Sequence, residues 1–213
     1  MKKLFFAALC ILMIASCKNN SSTTTPGQEP AKDGSAATEQ PKGKYTLKSG
    51  VVEYKTTVMG MEAKQTLSFD DYGAKELTSV SIEMMGYKST SYTLNRDGYV
   101  YSYDLEKKTG TKMKAVPQAN IDFANLTDDI VKEMKINKEG EESFLGKTCT
   151  KFSIDNDKLS MKGSYLVWNG IPLKTDVDMG QMKMVLEAIK LDENASIPAT
   201  TFDVPADVKF TDL

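Results

Sequence analysis

The sequence predicts a mainly β protein of the α+β type, in which antiparallel hairpins follow one another and one helix lies on the sheet. Most of the chain after residue 43 alternates polar and apolar side chains with a period of two, and short turn sequences separate the alternating runs. Only one segment has a clear helical pattern. We therefore expect a single domain, residues 44–213, that is long enough to bury a core.

The first alternating run is Val52 to Val58, in which polar Glu53, Lys55 and Thr57 separate the apolar positions. The same pattern continues through Met61 to Phe69, Leu77 to Met84, Tyr87 to Leu94, Tyr99 to Leu105, Thr148 to Ile154 and Ser160 to Trp168. The predicted turns are Met59-Gly60, Asp71-Tyr72-Gly73, Met85-Gly86, Arg96-Asp97-Gly98 and Thr109-Gly110. Because the links are so short, consecutive strands should pair in an antiparallel meander.

Three further segments complete the prediction. Thr127 followed by two acidic residues predicts a helix start, and Leu126, Ile130 and Met134 form one apolar stripe. Asn169-Gly170 predicts a type I′ hairpin turn. Residues 181–191 fit a helix nearly as well as a strand, and the hairpins before them favour the strand.

The N-terminus predicts a bacterial lipoprotein signal. Lys2 and Lys3 precede an apolar run from Leu4 to Ile14, which is too short to span a bilayer of about 30 Å, and small residues precede Cys17. We expect residues 1–16 to be removed and Cys17 to carry the lipid. The alternatives are a plain signal peptide and a short membrane anchor.

Residues 17–43 are expected to be a lipidated, flexible tether. After Cys17 they consist of small, polar and charged residues with no aromatic or large aliphatic side chain, so they can bury little apolar surface. Such a chain has an r.m.s. span of about 30 Å.

Composition excludes several classes of function. The formal net charge is −2 and Arg96 is the sole arginine, so nucleic acid is not an expected partner. The chain has no histidine, which removes the commonest general base and most transition-metal sites. Cys10 leaves with the signal peptide and Cys17 carries lipid, so Cys149 remains as a lone thiol, more typical of a buried apolar residue than of a reactive one. We expect no catalysis, cofactor or metal.

Three C-terminal segments carry a family resemblance. Gly140 to Phe152, Tyr165 to Lys174 and Phe202 to Phe210 resemble the corresponding strands of uncharacterised bacterial lipoproteins with a LolA/LolB-like fold, the lipoprotein-carrier superfamily. The resemblance implies a curved antiparallel half-barrel with one or a few helices over its concave face and an apolar cavity inside. In the carrier proteins of that superfamily the cavity receives acyl chains. The carrier's lid arginine has no counterpart, because Arg96 lies in a predicted turn, and no transport residue is transferred.

The predicted ligand site is the apolar face of the meander. A sheet with one polar face has one apolar face, and the side chains expected on the concave side are Val52, Tyr54, Val58, Leu67, Phe69, Val80, Ile82, Tyr101 and Tyr103. The helix that begins at Thr127 should cover it. Methionines in or beside the strands suit either an adaptable apolar site or a filled core.

These features favour a membrane-anchored lipoprotein that binds a lipid or other apolar ligand in a half-barrel cavity without catalysis. The alternative is a structural or interaction lipoprotein whose core is filled by its own side chains. The Cys17 lipid would place either protein in the cell envelope, attached to the outer membrane and facing the periplasm. An apolar cavity of several hundred Å³ inside the sheet distinguishes the first from the second.

Overall fold

The computed structural model describes residues 43–58, 60–115, 121–180 and 182–213. The predicted signal peptide, the Cys17 lipid site and the predicted tether up to residue 42 lie outside this part of the chain. Among the described residues no helix combines the length and the hydropathy needed to cross a membrane.

The described chain forms one mostly antiparallel sheet of twelve strands. The strands are β1 (Gly50–Val58), β2 (Met61–Asp70), β3 (Lys75–Met84), β4 (Tyr87–Arg96), β5 (Tyr99–Asp104), β6 (Thr109–Lys114), β7 (Ile136–Phe144), β8 (Lys147–Asn156), β9 (Met161–Trp168), β10 (Ile171–Asp178), β11 (Lys183–Glu193) and β12 (Lys209–Asp212). Their spatial order is β12-β6-β5-β4-β3-β2-β1-β11-β10-β9-β8-β7. The predicted fold class, a mainly β protein with an open, curled sheet, is confirmed.

The topology joins two runs of hairpins side by side. Strands β1 to β6 form one run and β7 to β11 form the other, and β1 pairs with β11 to unite them. The short β12 is the exception to the antiparallel pattern, because it pairs in parallel with β6. The sheet is therefore open, with β12 and β7 at its two edges.

Two-residue turns set the register of the hairpins. The backbone φ angles are 52° and 81° at Met85-Gly86, 53° and 75° at Asp97-Gly98, and 51° and 81° at Asn169-Gly170. Two positive φ angles are typical of the type I′ turn, whose twist matches that of the flanking strands. The predicted turn at Asn169-Gly170 is confirmed.

The predicted helix is also confirmed. The α1 helix (Asp128–Met134) begins after Thr127, whose side chain accepts a hydrogen bond from the Ile130 backbone N–H at 3.3 Å. It ends at Lys135, whose positive φ of 54° stops the helical hydrogen bonding. Its apolar stripe packs on a cluster formed by Ile136, Ile154, Tyr165, Val167 and Val177. The helix covers this β7 to β10 part of the sheet and not the predicted ligand residues, so its predicted position was wrong.

A second cluster forms the main core beside β1. It contains the fully buried Val52, Tyr54 and Phe69 together with Leu67, and the chain segment before β1 supplies Tyr45 and Leu47 as its cover. A third cluster lies around Leu94 and Tyr103. There the cover comes from the segment before β12, which contributes Phe202, Val204 and Val208.

The two faces of the sheet are assigned from the strand register, since directly paired residues of antiparallel strands lie on one face. We call the face that carries Val52 the Val52 face; its pairings run from Val52 to Leu67 and from Ala63 to Ile82. We call the other the Lys64 face, which begins with the pairings of Lys55 to Lys64 and of Lys64 to Ser81.

Several strand bounds differ from the prediction. Thr109 and Gly110 open β6 and are not a turn, and Arg96 is the last residue of β4. The edge strand β7 was missed because its exposed sequence is polar and charged, without the alternation that marks a half-buried strand. Residues Lys183–Glu193 form a strand, as favoured.

Candidate functional site

The predicted ligand residues nearest β11 are packed and closed. Val52, Tyr54, Leu67 and Phe69 share the Val52 face, and their side chains are buried in the main core. The Tyr45 ring lies against Phe69 with 4.5 Å between the ring centroids. The segment before β1 therefore occupies the place expected for an apolar ligand.

The other predicted residues of this face have a more open setting. Val80 and Ile82 follow one another along β3 on the Val52 face and are half-buried. Their cross-strand partners on β4 are Ser91 and Ser89, which are exposed. Val58 is the last residue of β1 and its backbone pairs with Met61, but its side chain lies outside the described part.

Tyr101 and Tyr103 lie on the Lys64 face, so the prediction that all nine residues share one face was wrong. The register pairs Ser79 with Tyr92, Tyr92 with Tyr103, and Leu94 with Tyr101. The Lys64 face therefore continues across β4 and includes the side chains of Tyr101 and Tyr103. The physical reason is that the apolar positions change face between β3 and β4. Counting back from Met85-Gly86 and Asp97-Gly98 through fixed hairpin pairs would have revealed the change.

These two tyrosines belong to the third cluster. The Tyr103 ring stacks on Tyr92 with 5.3 Å between centroids, and the Tyr101 ring meets Phe210 edge-on at 5.4 Å. Arg96 donates a hydrogen bond from Nη1 to the Phe202 backbone oxygen at 2.6 Å, which holds the covering segment in place. This part of the Lys64 face is also filled by the protein itself.

A buried carboxylate lies at the edge of the main core. Glu76 on β3 accepts hydrogen bonds from Lys44 Nζ at 2.7 and 2.9 Å, from the Tyr45 hydroxyl, and from Asn95 Nδ2 at 3.4 Å. Burial, followed by the negative charge of Glu76, raises the pKa of Tyr45 well above its usual value. Burial likewise raises the pKa of Tyr54. Because every partner comes from the protein, this cluster joins the segment before β1 to the sheet.

A groove lies on the opposite side of the same strands. Its volume is about 640 Å³, and most of the side chains around it belong to the Lys64 face of β11, β1, β2, β3 and β4. These side chains are Lys55, Thr57, Glu62, Lys64, Thr66, Ser81, Glu83, Lys88, Val185 and Glu187. The lining is charged and hydroxylated, unlike the apolar cavity that the sequence predicted.

Charges of like sign face one another inside this groove. Lys55 and Lys64 are direct cross-strand partners. Glu62 and Glu83 are the chain neighbours of the last β2–β3 pair, Ala63–Ile82, and their own cross-strand partners are Thr57 and Lys88. None of these four side chains, all exposed, has an ion-pair partner within 4 Å among the described residues.

Other cross-strand pairs on this face join charges of opposite sign. On neighbouring strands Lys174 faces Glu187 at 3.6 Å, and Lys190 faces Glu53 at 3.2 Å, so opposite signs meet. Directly opposed like charges destabilise a sheet, whereas opposed unlike charges stabilise it. Inside the groove Lys55 is also the cross-strand partner of Glu187, and Glu83 that of Lys88, so the unfavourable pair among the described groove residues is Lys55 with Lys64. The sequence contained the signal, because Lys55 and Lys64 are equally distant from the turn between β1 and β2.

The groove can hold a charged ligand by non-covalent contacts. The described residues contain no group of three or more acidic or cysteine side chains arranged to hold a metal ion. Cys149 lies elsewhere and is fully buried in the main core, where burial raises the pKa of its thiol. This setting agrees with its interpretation as a buried apolar residue.

No protein-family model matches the chain, and no curated protein sequence matches it. Solved structures do resemble it. An uncharacterised conserved protein from Thermus thermophilus has a TM-score of 0.52 at 12% identity, and the match covers 78% of this chain and 91% of that one. This likeness concerns the fold alone.

Two further solved structures match the chain with lower scores. MucB in complex with MucA(peri) has a TM-score of 0.47 at 10% identity, covering 77% of this chain and 56% of that one. A putative outer membrane lipoprotein-sorting protein domain from Vibrio parahaemolyticus has a TM-score of 0.36 at 7% identity, covering 73% and 89%. With TM-scores below 0.5, these two matches carry no argument about this chain.

Proposed function

We propose that this protein is a lipid-anchored, non-catalytic interaction protein of the cell envelope that binds a charged partner in the groove of its Lys64 face. The observation that carries the proposal is the direct cross-strand pairing of Lys55 with Lys64 in this groove, beside the exposed carboxylates of Glu62 and Glu83. The anchor is the lipid expected on Cys17, at an outer membrane and facing the periplasm.

A surface that only contacts solvent gains no stability from two lysines placed opposite each other. An opposed like-charge pair costs the sheet a few tenths of a kcal/mol or more, and the neighbouring strands avoid that cost with opposite charges. Local choices that reduce stability are expected where a residue serves binding. A concave site also strengthens the field of its charges compared with a flat surface.

The charge pattern specifies the chemistry of the partner. The two ammonium groups would receive an anionic group and the two carboxylates a cationic one. Lys64 and Glu62 are two residues apart on one strand, which separates the two subsites by about 7 Å. An extended peptide with an acidic and a basic side chain two residues apart has the same spacing, and we propose such a segment as the partner.

The packed Val52 face supports the interaction protein over the apolar-ligand carrier. Val52, Tyr54, Leu67 and Phe69 are buried in one cluster with the protein's own Tyr45, which covers this face beside β1. An apolar ligand remains the second candidate function because of one observation. Val80 and Ile82 extend the same face beyond the filled core and are half-buried.

The test uses the chain from residue 17 onward with Cys17→Ala, so that no lipid interferes. The probe is a five-residue threonine peptide with aspartate at its second and lysine at its fourth position, titrated while amide NMR shifts are recorded. We expect shifts at Lys55, Glu62, Lys64 and Glu83 that weaken with added salt. Lys64→Thr and Glu62→Thr should each weaken binding about fivefold or more, by removal of one charge contact.

Lys114→Thr is the matched control, because Lys114 is an exposed strand lysine outside the groove. A peptide with asparagine and glutamine in place of the two charged residues should not bind. Absence of shifts in the groove, or an equal loss of binding in Lys114→Thr, would refute the proposal.

A further inference from the structure

Four of the hairpin turns at one end of the sheet share a surface property. In an antiparallel sheet with this order, the turns β3–β4, β5–β6, β8–β9 and β10–β11 lie at the same end. Each of the four carries an exposed large apolar side chain. These are Met85, 94% exposed, Leu105, 41%, Leu159, 50%, and Met182, 63%, and Tyr87 beside Met85 is 82% exposed. We call this set of turns the hairpin rim.

The opposite end of the sheet differs. Its turns at Asp97-Gly98 and Asn169-Gly170 are polar or small, and the covering segment before β1 packs there against the Asp71–Gly73 turn and Asn169. Leu145 is the exposed apolar residue of a turn at that end, where Tyr99, Met113 and Leu213 are also exposed at or near strand ends and outside the turns. Exposed apolar turns that recur at one end indicate a surface that meets an apolar phase.

Ion pairs stand beside three of the four turns of the rim. Asp104 pairs with Lys107 at 2.8 Å, Asp155 with Lys162 at 3.0 Å, and Asp176 with Lys183 at 3.0 Å. A rim that binds anionic lipid by attraction would be basic. Internally paired charges suit a surface of zwitterionic headgroups, where apolar contact supplies most of the binding.

The chain before the domain can bring this rim to a membrane. Tyr45 donates its backbone N–H to the Tyr72 oxygen and Thr46 donates to Asn169, so the chain enters at the end opposite the rim. Residues 17–43 reach at most about 90 Å when extended, and a ten-residue strand spans about 33 Å. A domain held by a lipid on Cys17 can therefore turn its rim toward the same bilayer.

We propose that the hairpin rim is a docking surface for a bilayer of zwitterionic phospholipid, with Met85, Tyr87 and Met182 entering the headgroup region. Tyrosine suits this depth because its ring is apolar and its hydroxyl is polar. The proposal does not depend on the groove, since it uses different side chains and a different partner.

The experiment measures partition of the Cys17→Ala chain, from residue 17 onward, onto vesicles of phosphatidylethanolamine and phosphatidylcholine. Met85→Ser combined with Met182→Ser should lower the partition coefficient about tenfold or more, because two exposed apolar anchors are lost. Leu145→Ser is the matched control, since Leu145 precedes a glycine in an exposed two-residue turn at the other end. It should leave partition unchanged.

Three outcomes would overturn the proposal. One is a wild-type chain that stays in solution with these vesicles. Another is an equal loss of partition in Leu145→Ser and in the double variant. The third is a concentration-dependent dimer, measured by sedimentation, that the double variant abolishes, because the rim would then bind a second copy of the chain. Binding of the threonine peptide should be the same in the double variant and the wild type, which separates this result from the fate of the groove.

Discussion

The hydroxyl group of Tyr45 donates a hydrogen bond to the buried carboxylate of Glu76, and this contact fixes the segment before β1 to the third strand. Lys44 binds both oxygens of the same carboxylate. A buried carboxylate is costly unless its hydrogen-bonding capacity is used, and here adjacent residues of the entering segment use it. The same segment closes the predicted ligand site.

We first predict that Tyr45 and Glu76 contribute to stability together. Tyr45→Phe should lower the free energy of unfolding by about 1.5–3 kcal/mol, because a hydrogen bond to a charged group is lost. Glu76→Gln should cost a similar amount, and the double variant should lose less than the sum, with a coupling of about 0.5–3 kcal/mol. Urea unfolding measures all three. Tyr87→Phe, the same change at an exposed tyrosine, should stay within about 0.5 kcal/mol of the wild type.

Alkaline pH should destabilise the fold through its buried tyrosines. The pKa values of Tyr45 and Tyr54 are raised above 10.0 in the folded protein. The unfolded chain therefore releases these protons first, so stability is complete below about pH 10 and falls as pH rises above it. Each group contributes a slope of up to about 1.4 kcal/mol per pH unit. Tyr54→Phe should show a shallower loss in unfolding experiments at several alkaline pH values, and an unchanged slope would contradict this assignment.

Removal of one groove lysine should stabilise the sheet while it weakens binding. Lys64→Thr ends the opposition to Lys55 and adds a residue that favours strands, so the free energy of unfolding should rise by about 0.2–1 kcal/mol. Lys190→Thr is the control, because it removes a lysine that faces Glu53 at 3.2 Å and should not stabilise. Thermal unfolding and the peptide titration are then compared for the same protein samples. If the Lys64→Thr variant is more stable than the wild type but binds the peptide equally well, the like-charge pair has no role in binding.

The filled Val52 face predicts how core variants behave. Phe69→Ala should cost about 3–5 kcal/mol, because it empties a fully buried position. Ile82→Trp should cost no more than about 1–3 kcal/mol, since Ile82 is half-buried. A fluorescent fatty acid should not bind the wild-type chain. Uptake by the wild type that Ile82→Trp abolishes would support the apolar-ligand function instead.

The lipid anchor has its own test. Wild-type protein produced in a bacterium should incorporate labelled fatty acid, lose residues 1–16 and sediment with membranes, because its N-terminus has the features of a lipoprotein signal. Cys17→Ala should take up no label and leave the membrane fraction. Label in that variant, or none in the wild type, would refute the anchor. Limited proteolysis should yield a stable fragment that starts near Lys44, since the preceding residues have little to bury.

The sequence predicted local structure well where the side-chain pattern and turn chemistry agree. The Asn169-Gly170 turn, the Thr127 cap and the strand at Lys183–Glu193 all follow from short-range rules. The polar edge strand β7 does not, because an exposed strand that carries charges lacks the alternating pattern. Such charges protect an edge from pairing with other chains, and they also conceal the strand from pattern analysis.

The candidate site was harder to predict because it depends on which face each strand buries. The assumption of a single apolar face placed Tyr101 beside Val52, whereas β4 and β5 bury the opposite face. The groove was missed for a related reason. Its residues occupy the polar positions of alternating strands, which is the pattern of any solvent-exposed sheet face. The pairing of Lys55 with Lys64 is the feature that distinguishes them from an ordinary exposed surface.

The pairing of β1 with β11 has a consequence for the order of folding. Their contacts join residues far apart in the chain, as in the hydrogen bond from Thr56 to the Val185 oxygen across 129 positions. A chain that emerges from its N-terminus can form the β1 to β6 hairpins early, and β1 then remains an open edge until β11 arrives. Closing so long a loop is slow, and an unpaired edge can associate with other chains. Synthesis of this chain therefore includes an interval in which its central strand is an exposed edge that can aggregate.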